Sequence, residues 1–317
     1  MKARCVIARS FATKQSPIIM AILILMASSA FAQTPSDSIN HVVDSLFIRA
    51  ASISVYYADQ VAPAKKTLAA MADTSAPRLV EKMKTQDARE MQALEDIFKQ
   101  MGQPAVLYLV NVLGSTDVYT RRLSARILAV IADSSAIDSL LHYTNDPDFR
   151  MRGGVISALG KIGSKRGVAP SKSALADDDY LVRLAAAVAL ANLKDSATVK
   201  PLLKALSDPY YGVRYSAADA ISKIGKPAVK SVLDALAKPP DTLAYYLLIQ
   251  IAGNIADSRF EDPLSKIINS DDPDARAFAA ESLGKLGSSK AMDILHKRYD
   301  IETHPLVTAK IEAIVLK

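Results

Sequence analysis

Hydrophobic positions recur at helical spacing through most of the chain, in segments of two alternating types. The first type, as in AVKSVLDAL (228–236), follows a proline or a serine cap, and in three repeats it ends before an Asp-Pro turn, at 146–147, 208–209 and 272–273. The second type, as in VRYSAADAISKIG (213–225), carries alanines that allow close helix approach and ends at a glycine. No segment alternates as a β-strand does, so the pattern predicts an all-α chain of paired helices.

The paired segments repeat with a period of 31 residues. Steps of that length from Arg214 reach four further arginines, at Arg121, Arg152, Arg183 and Arg276. A fixed step of this kind indicates a solenoid, in which each two-helix repeat buries its apolar faces against its neighbours. We predict a right-handed α-solenoid of about seven repeats, with capping helices at 33–75, the repeats at 76–306, and a C-terminal capping helix at 307–317.

The N-terminal segment has the pattern of a secretory signal peptide. Its first 15 residues contain four basic residues and no acidic one, and an apolar run from Pro17 to Ala32 follows. The run ends in Ala30-Phe31-Ala32, which is a small-x-small cleavage pattern. We therefore predict that residues 1–32 are removed and that the protein is exported, to the periplasm or the medium. The alternative is an uncleaved anchor helix, although the run is short for a membrane span.

Cleavage after Ala32 changes what the composition implies. The formal net charge of +6 falls to +2, because the segment removed carries Lys2, Arg4, Arg9 and Lys14. A nearly neutral chain does not favour nucleic-acid binding. The only cysteine, Cys5, is also lost, which leaves no thiol for catalysis, metal binding or a disulfide.

A search for catalytic or metal-binding motifs finds none. The four histidines, His41, His142, His296 and His304, occur in no HExxH or paired His-Glu arrangement. The sequence also lacks the GxSxG nucleophile elbow and the glycine-rich loops that bind phosphates. We therefore predict a protein that is not an enzyme and that has no cofactor.

Segments such as DPDFRMRGGVISALGKIG (146–163) and DPYYGVRYSAADAISKIG (208–225) resemble HEAT repeats, and their short period resembles the phycobilisome-lyase HEAT-like subclass. In HEAT repeats, an acidic residue in the turn and an arginine early in the second helix form a ladder of hydrogen bonds. The resemblance implies the ladder pairs Asp146/Arg152, Asp177/Arg183 and Asp208/Arg214. It implies that the ladder lapses at Ser115/Arg121, Pro239/Tyr245 and Ser270/Arg276.

A polar stripe runs along the second helices, at one, five and nine residues after each arginine position. In HEAT solenoids these helices line the concave side, so we expect the stripe to bind a protein or peptide partner. Nine residues are the predicted contacts: Arg122, Arg126, Lys161, Asn192, Tyr215, Asp219, Tyr246, Gln250 and Asn254. The alternative for each one is an ordinary solvated helix face.

Two further features remain open at this point. The segment 244–258 departs from the repeat, with Tyr245 at the arginine position, and indicates either specialisation or decay. Aromatic residues in the turns either form a ridge or pack over the next repeat; they are Tyr119, Phe149, Tyr180 and Tyr211. The function predicted is an exported scaffold that binds a protein or peptide. The alternatives are a lyase-type or other enzyme of the HEAT-like family, and a nucleic-acid-binding protein.

Overall fold

The computed structural model describes the backbone of residues 35–316 and the side chains of residues 37–316. These residues form eighteen α-helices and contain no β-strand. The all-α solenoid predicted from the hydrophobic pattern is therefore confirmed. The predicted signal peptide, residues 1–32, lies outside the residues described. No helix between residues 35 and 316 is long and apolar enough to cross a membrane.

The chain divides into two compact units, one ending at Leu123 and the other beginning at Ser124. The helices that begin in the first unit are α1 (Pro35–Ala50), α2 (Val61–Ala70), α3 (Ala72–Glu81), α4 (Ala88–Met101), α5 (Gln103–Asn111) and α6 (Val118–Ile131), the last of which continues into the second unit. Helices α1, α3 and α5 pack in sequence, and α2 packs on α4. Ion pairs join neighbours of the same type, as between Lys65 of α2 and Asp96 of α4 at 2.7 Å.

The second unit contains twelve further helices in six first-and-second pairs. They are α7 (Ile137–Leu141), α8 (Phe149–Ile162), α9 (Val168–Ala174), α10 (Tyr180–Leu193), α11 (Val199–Ala205), α12 (Tyr211–Ile224), α13 (Val229–Ala237), α14 (Thr242–Ile255), α15 (Glu261–Ile267), α16 (Pro273–Leu286), α17 (Ser289–Tyr299) and α18 (Pro305–Val315). Each second helix from α8 to α18 packs on the next one, and each also packs on the first helix of its own pair. Helix α18 covers the predicted C-terminal cap and pairs with α17.

Two features recur at the ends of the second helices: an aspartate cap at the N-terminus and a residue with positive φ at the C-terminus. Asp148, Asp179, Asp241 and Asp272 lie at the N-termini of α8, α10, α14 and α16, and their carboxylates accept hydrogen bonds from backbone N–H groups of the first turn. At the other end, one residue per repeat has a positive φ, between 50° and 74°. The seven positions are Gly102, Ala132, Gly163, Lys194, Gly225, Ala256 and Gly287. The helices that end at these positions therefore close with a positive φ, including the three without glycine.

Small residues allow some second helices to approach closely. A Cβ added to Gly160 of α8 would lie 2.5 Å from the Cα of Ala189 in α10. A Cβ added to Gly253 of α14 would lie 2.7 Å from the Cα of Ser282 in α16. The Ser282 hydroxyl is buried and donates to the Ile249 carbonyl at 2.8 Å. Both crossings are therefore close enough to exclude any larger side chain.

Candidate interaction surface

The arginine ladder runs between repeats. Arg152 donates from Nε and Nη2 to the Asp177 carboxylate of the next repeat, at 2.8 and 2.7 Å. Within its own repeat, Arg152 Nη1 donates to the backbone carbonyl of Asp146 at 2.9 Å. Each guanidinium therefore joins the turn of its own repeat to the turn of the following one.

The same geometry recurs one step along, where Arg183 contacts the Asp208 carboxylate at 2.6 and 3.0 Å. Arg183 also donates to the carbonyl of Asp177 at 2.9 Å. The predicted pairs Asp146/Arg152, Asp177/Arg183 and Asp208/Arg214 are hydrogen-bonded through the aspartate carbonyl. The carboxylates of Asp177 and Asp208 accept from the arginine of the preceding repeat. The six-residue spacing places the arginine beside its own turn, while the carboxylate points towards the preceding repeat.

All three expected lapses of the ladder need correction. Arg121 donates from Nη1 to the carbonyl of Ser115 at 3.0 Å. The carboxylate of Asp241, two residues after Pro239, accepts from Arg214 at 2.9 and 3.1 Å, so the acidic partner is displaced rather than lost. Arg276 donates to the carbonyl of Ser270 at 2.9 Å and to the carboxylate of Glu302 at 3.0 and 3.1 Å. Burial opposes ionisation of Glu302, but hydrogen bonds from Arg276, from the His304 N–H and from Arg298 lower its pKa to about 2.

Tyr246 replaces the arginine rung in the repeat that departs most from the pattern. Its hydroxyl donates to the Asp272 carboxylate of the next repeat at 2.8 Å. Its ring lies 5.3 Å from that of Phe278. Burial and the hydrogen bond to Asp272 raise the pKa of Tyr246 to about 12. The neighbouring Tyr245, which occupies the arginine position, packs against the same core cluster as Tyr246.

The predicted stripe divides into exposed and half-buried members. Arg122 lies in the first unit and is half-buried. In the second unit, Tyr246 and Gln250 are also half-buried. The exposed members are Arg126, Lys161, Asn192, Tyr215, Asp219 and Asn254. The Tyr246 side chain therefore contacts the next repeat, whereas 51% of the Tyr215 surface is exposed to solvent.

The exposed members differ in how far they are engaged with their neighbours. Lys285 of α16 donates to the Asn254 side-chain carbonyl at 3.0 Å and pairs with Glu281 at 3.1 Å. Among the described residues, no hydrogen bond or ion pair engages the side chains of Lys161 and Asn192. The side chains on α8 and α10 are therefore free to contact a ligand, whereas those on α14 and α16 are linked to one another.

The turn aromatics pack across repeats at one place. The rings of Tyr180 and Tyr210 stack with centroids 4.1 Å apart and planes 9° apart. The guanidinium of Arg183 lies 5.6 Å from the Tyr210 centroid, so this ring also covers a ladder arginine. Tyr211 instead stacks on Tyr215 of its own helix, at 6.5 Å.

Two clefts flank the turn that contains Pro209. One, of about 350 Å³, is lined by Tyr211, Arg214 and Asp241 together with neighbouring turn residues. The other, of about 300 Å³, is lined by Lys172, Lys204 and Asp208 together with mostly apolar residues. Among residues 37–316, no group of three or more His, Cys, Asp or Glu side chains could hold a metal ion.

Sequence reasoning missed Asp241 and Glu302 as ladder partners, because neither lies at the six-residue spacing. A signal for Asp241 was present, since aspartate recurs four residues before the ladder position as Asp148, Asp179, Asp241 and Asp272. Glu302 has no such signal, because it lies in a turn of different length.

A family model for HEAT repeats matches residues 106–178, 168–246 and 229–315. Importin beta is similar in structure, with a TM-score of 0.58 and 13% identity over 88% of this chain and 45% of importin beta. Kap95p bound to RanGDP gives a TM-score of 0.58 and 14% identity, over 89% of this chain and 44% of that one. This chain therefore spans less than half of either relative, and these identities show the fold alone.

The complex of CpcE and CpcF of phycocyanin lyase from Nostoc sp. PCC7120 is also similar, with a TM-score of 0.41 and 20% identity over 66% of this chain and 93% of that one. No curated protein matches the sequence. The resemblance to HEAT repeats seen in the sequence is confirmed, because the family model covers more than half of the 317 residues. The chain, with its paired helices and its ladder of arginines, belongs to the HEAT repeat family.

Proposed function

We propose that this chain is an exported, non-enzymatic scaffold that binds a protein or peptide through the polar stripe on its second helices. The observation that carries the proposal is a row of exposed polar side chains on the stripe face of three consecutive second helices, two of them nine residues after the arginine position and one a single residue after it. Lys161 lies on α8, Asn192 on α10 and Tyr215 on α12, and each projects from a helix whose other faces are packed. Exposed side chains on successive helices of a solenoid suit an extended ligand.

The packing around the row supports the proposal. Helices α8, α10 and α12 contact one another directly, so their spacing is set by the core and the ladder. A rigid row loses little conformational entropy when it binds, which favours affinity. Tyr215 is the natural anchor of the row, because tyrosine combines a large apolar ring with a polar hydroxyl.

The proposal is tested by comparing two triple variants as baits in extracts of the source organism's envelope and medium. Lys161→Ala/Asn192→Ala/Tyr215→Ala removes the row. Ser173→Ala/Lys200→Ala/Lys230→Ala is the control, because it removes three exposed side chains, outside both clefts, from the first helices α9, α11 and α13. We expect the first variant to lose the partners that the unchanged chain and the control retain. Equal retention by both variants would contradict the proposal.

Export is tested separately. Mass spectrometry of the purified protein is expected to find an N-terminus at Gln33, after cleavage at Ala32. An intact N-terminus in a membrane fraction would instead indicate an anchored protein. Neither result affects the test of the stripe.

A further inference from the structure

Helix α12 has an exposed face on which two tyrosines and a carboxylate follow each other at four-residue steps. Tyr211, Tyr215 and Asp219 share this face because residues four apart are neighbours on a helix. The two tyrosines are 66% and 51% exposed. Their rings are 6.5 Å apart between centroids, with planes only 22° apart. The face therefore presents aromatic surfaces of similar orientation next to an acid.

The carboxylate of Asp219 has a weak partner. It pairs with Lys223 of the same helix at 2.7 Å, and the two side chains are 53% and 47% exposed. An exposed pair of this kind contributes little, because solvent screens it and both side chains lose entropy in holding it. A ligand cation that also gained contacts with the tyrosines would displace the lysine from Asp219.

An exposed valine lies on the neighbouring helix. Val188 of α10 precedes Asp219 by one period of 31 residues and occupies the equivalent position. It is 46% exposed, and α10 packs directly on α12. An apolar side chain in this position suits the aliphatic stem of a long cationic residue.

Aromatic rings, a carboxylate and an apolar side chain together form a surface that suits arginine. A guanidinium is planar, stacks on aromatic faces and binds a carboxylate through two parallel hydrogen bonds. The protein holds one of its own arginines in this way, since Arg183 lies 5.6 Å from the Tyr210 centroid and pairs with the Asp208 carboxylate. We infer that Tyr215 and Asp219, with Tyr211 and Val188 beside them, bind an arginine side chain of the partner protein.

This inference rests on the proposed function and specifies one residue of the partner. Lysine fits the face less well, because a compact ammonium neither stacks as a plane nor binds a carboxylate through two bonds. An acidic ligand or a phosphate is repelled by Asp219. A nucleic acid would be expected to use the tyrosines but not the carboxylate, and the test separates that outcome.

The test uses the exported protein with carbon-13-labelled tyrosine rings, observed by NMR. The probes are N-acetyl-arginine-N-methylamide and the corresponding derivative of citrulline, which has the same shape and no charge. We expect the arginine probe to shift the ring signals of Tyr215 and Tyr211 in a saturable way, with a dissociation constant on the order of millimolar. The citrulline probe is expected to cause no saturable shift. Tyr56, which is 89% exposed in the other unit, is the internal control.

Three variants sharpen the result. Asp219→Asn is expected to weaken binding about fivefold, through loss of the charge-assisted hydrogen bonds. Lys223→Met removes the competing cation and is expected to strengthen binding about twofold. Tyr215→Phe keeps the aromatic face, so binding is expected to stay within about twofold. All three positions are exposed, so the fold is retained.

The inference is overturned if the arginine and citrulline probes shift Tyr215 equally, or if Asp219→Asn binds arginine as before. Tyrosine shifts caused by a single-stranded oligonucleotide, and unaffected by Asp219→Asn, would replace arginine by a nucleobase as the occupant. If the arginine probe fails while the stripe variant still loses its partners, the proposed function stands and only the arginine inference falls. If the arginine probe succeeds while partner capture is unchanged, the proposed function falls.

Discussion

Two adjacent junctions between second helices, α12–α14 and α14–α16, are held together in different ways. At the first, Arg214 pairs with the Asp241 carboxylate near the start of the helices. At the second, the hydroxyl of Tyr246 makes a single hydrogen bond to Asp272. The second junction lacks an ionic rung, but it has the close approach of Gly253 to Ser282 near the other end of the helices.

The comparison shows that one repeat architecture can be stabilised at either end of its helices. Ser222 occupies the position of Gly253 one repeat earlier, and its hydroxyl donates to the Ala218 carbonyl of its own helix at 2.9 Å. Gly160 occupies the same position two repeats before Ser222, and it makes the same close approach where the full rung between Arg152 and Asp177 is present. The close approach and the rung are therefore independent contacts, and the 244–258 segment keeps the first without the ionic form of the second.

The largest effect is expected from Gly253→Ala. The added Cβ would lie 2.7 Å from the Ser282 Cα, so α14 and α16 must move apart. We expect a loss of about 3 kcal/mol in the free energy of unfolding, at the upper end of the usual cost of overpacking. The loss is measured by urea denaturation, and by faster amide exchange in α14 and α16. Ser222→Ala is the matched control and should change stability by less than about 1 kcal/mol; equal losses would mean that the close approach is unimportant.

Arg214→Met tests the rung at the other junction. The side chain of Arg214 is 17% exposed, and its removal leaves the Asp241 carboxylate, 36% exposed, without its cation. Burial opposes ionisation of Asp241, but hydrogen bonds from the Ala244 N–H and other donors, with Arg214 among them, lower its pKa. We expect a loss of about 2 kcal/mol, less than for a fully buried pair because solvent reaches Asp241.

Arg214→Lys is the matched variant for this rung. It keeps the charge but cannot reproduce the guanidinium contacts, so the expected loss is about 1 kcal/mol. Amide exchange should localise both losses to α12 and α14. Exchange that increased instead across α14 and α16 would show that the rung does not act at its own junction.

Tyr246→Phe removes only the hydroxyl at the second junction. The Asp272 carboxylate still accepts hydrogen bonds from the N–H groups of Asp274 and Ala275, at 2.9 and 3.3 Å, so it keeps two donors in the variant. We expect a loss of about 1 kcal/mol, the usual contribution of one hydrogen bond, seen as a lower urea midpoint. A loss as large as that of Arg214→Met would contradict the view that the second junction depends on packing.

The smallest effect is the pH dependence of that same hydrogen bond. The pKa of Tyr246 is raised from 10.0 to about 12 in the folded chain. A raised pKa means that the stabilisation is fully present below pH 10.0 and is lost as the pH rises towards 12. The difference in urea midpoint between the unchanged chain and Tyr246→Phe should therefore shrink from pH 9 to about pH 12. A difference that stays constant over this range would show that the hydroxyl bond does not stabilise the fold.

The sequence by itself determined the repeat and its helices, because period and hydrophobic spacing are local properties that survive in any packing. The 31-residue step correctly aligned the arginines, the turns and the helix ends. It also placed Tyr215 on an exposed face, since the stripe follows from helical geometry alone.

The tertiary structure alone decided which side chains meet. Whether the carboxylate of Asp208 contacts Arg214 or Arg183 depends on how successive repeats are stacked, and the two spacings are equally compatible with the sequence pattern. The same holds for Tyr246, whose half-buried position follows from the approach of α16. Contacts between repeats depend on helix separation, and the side chains of both neighbours set that separation together.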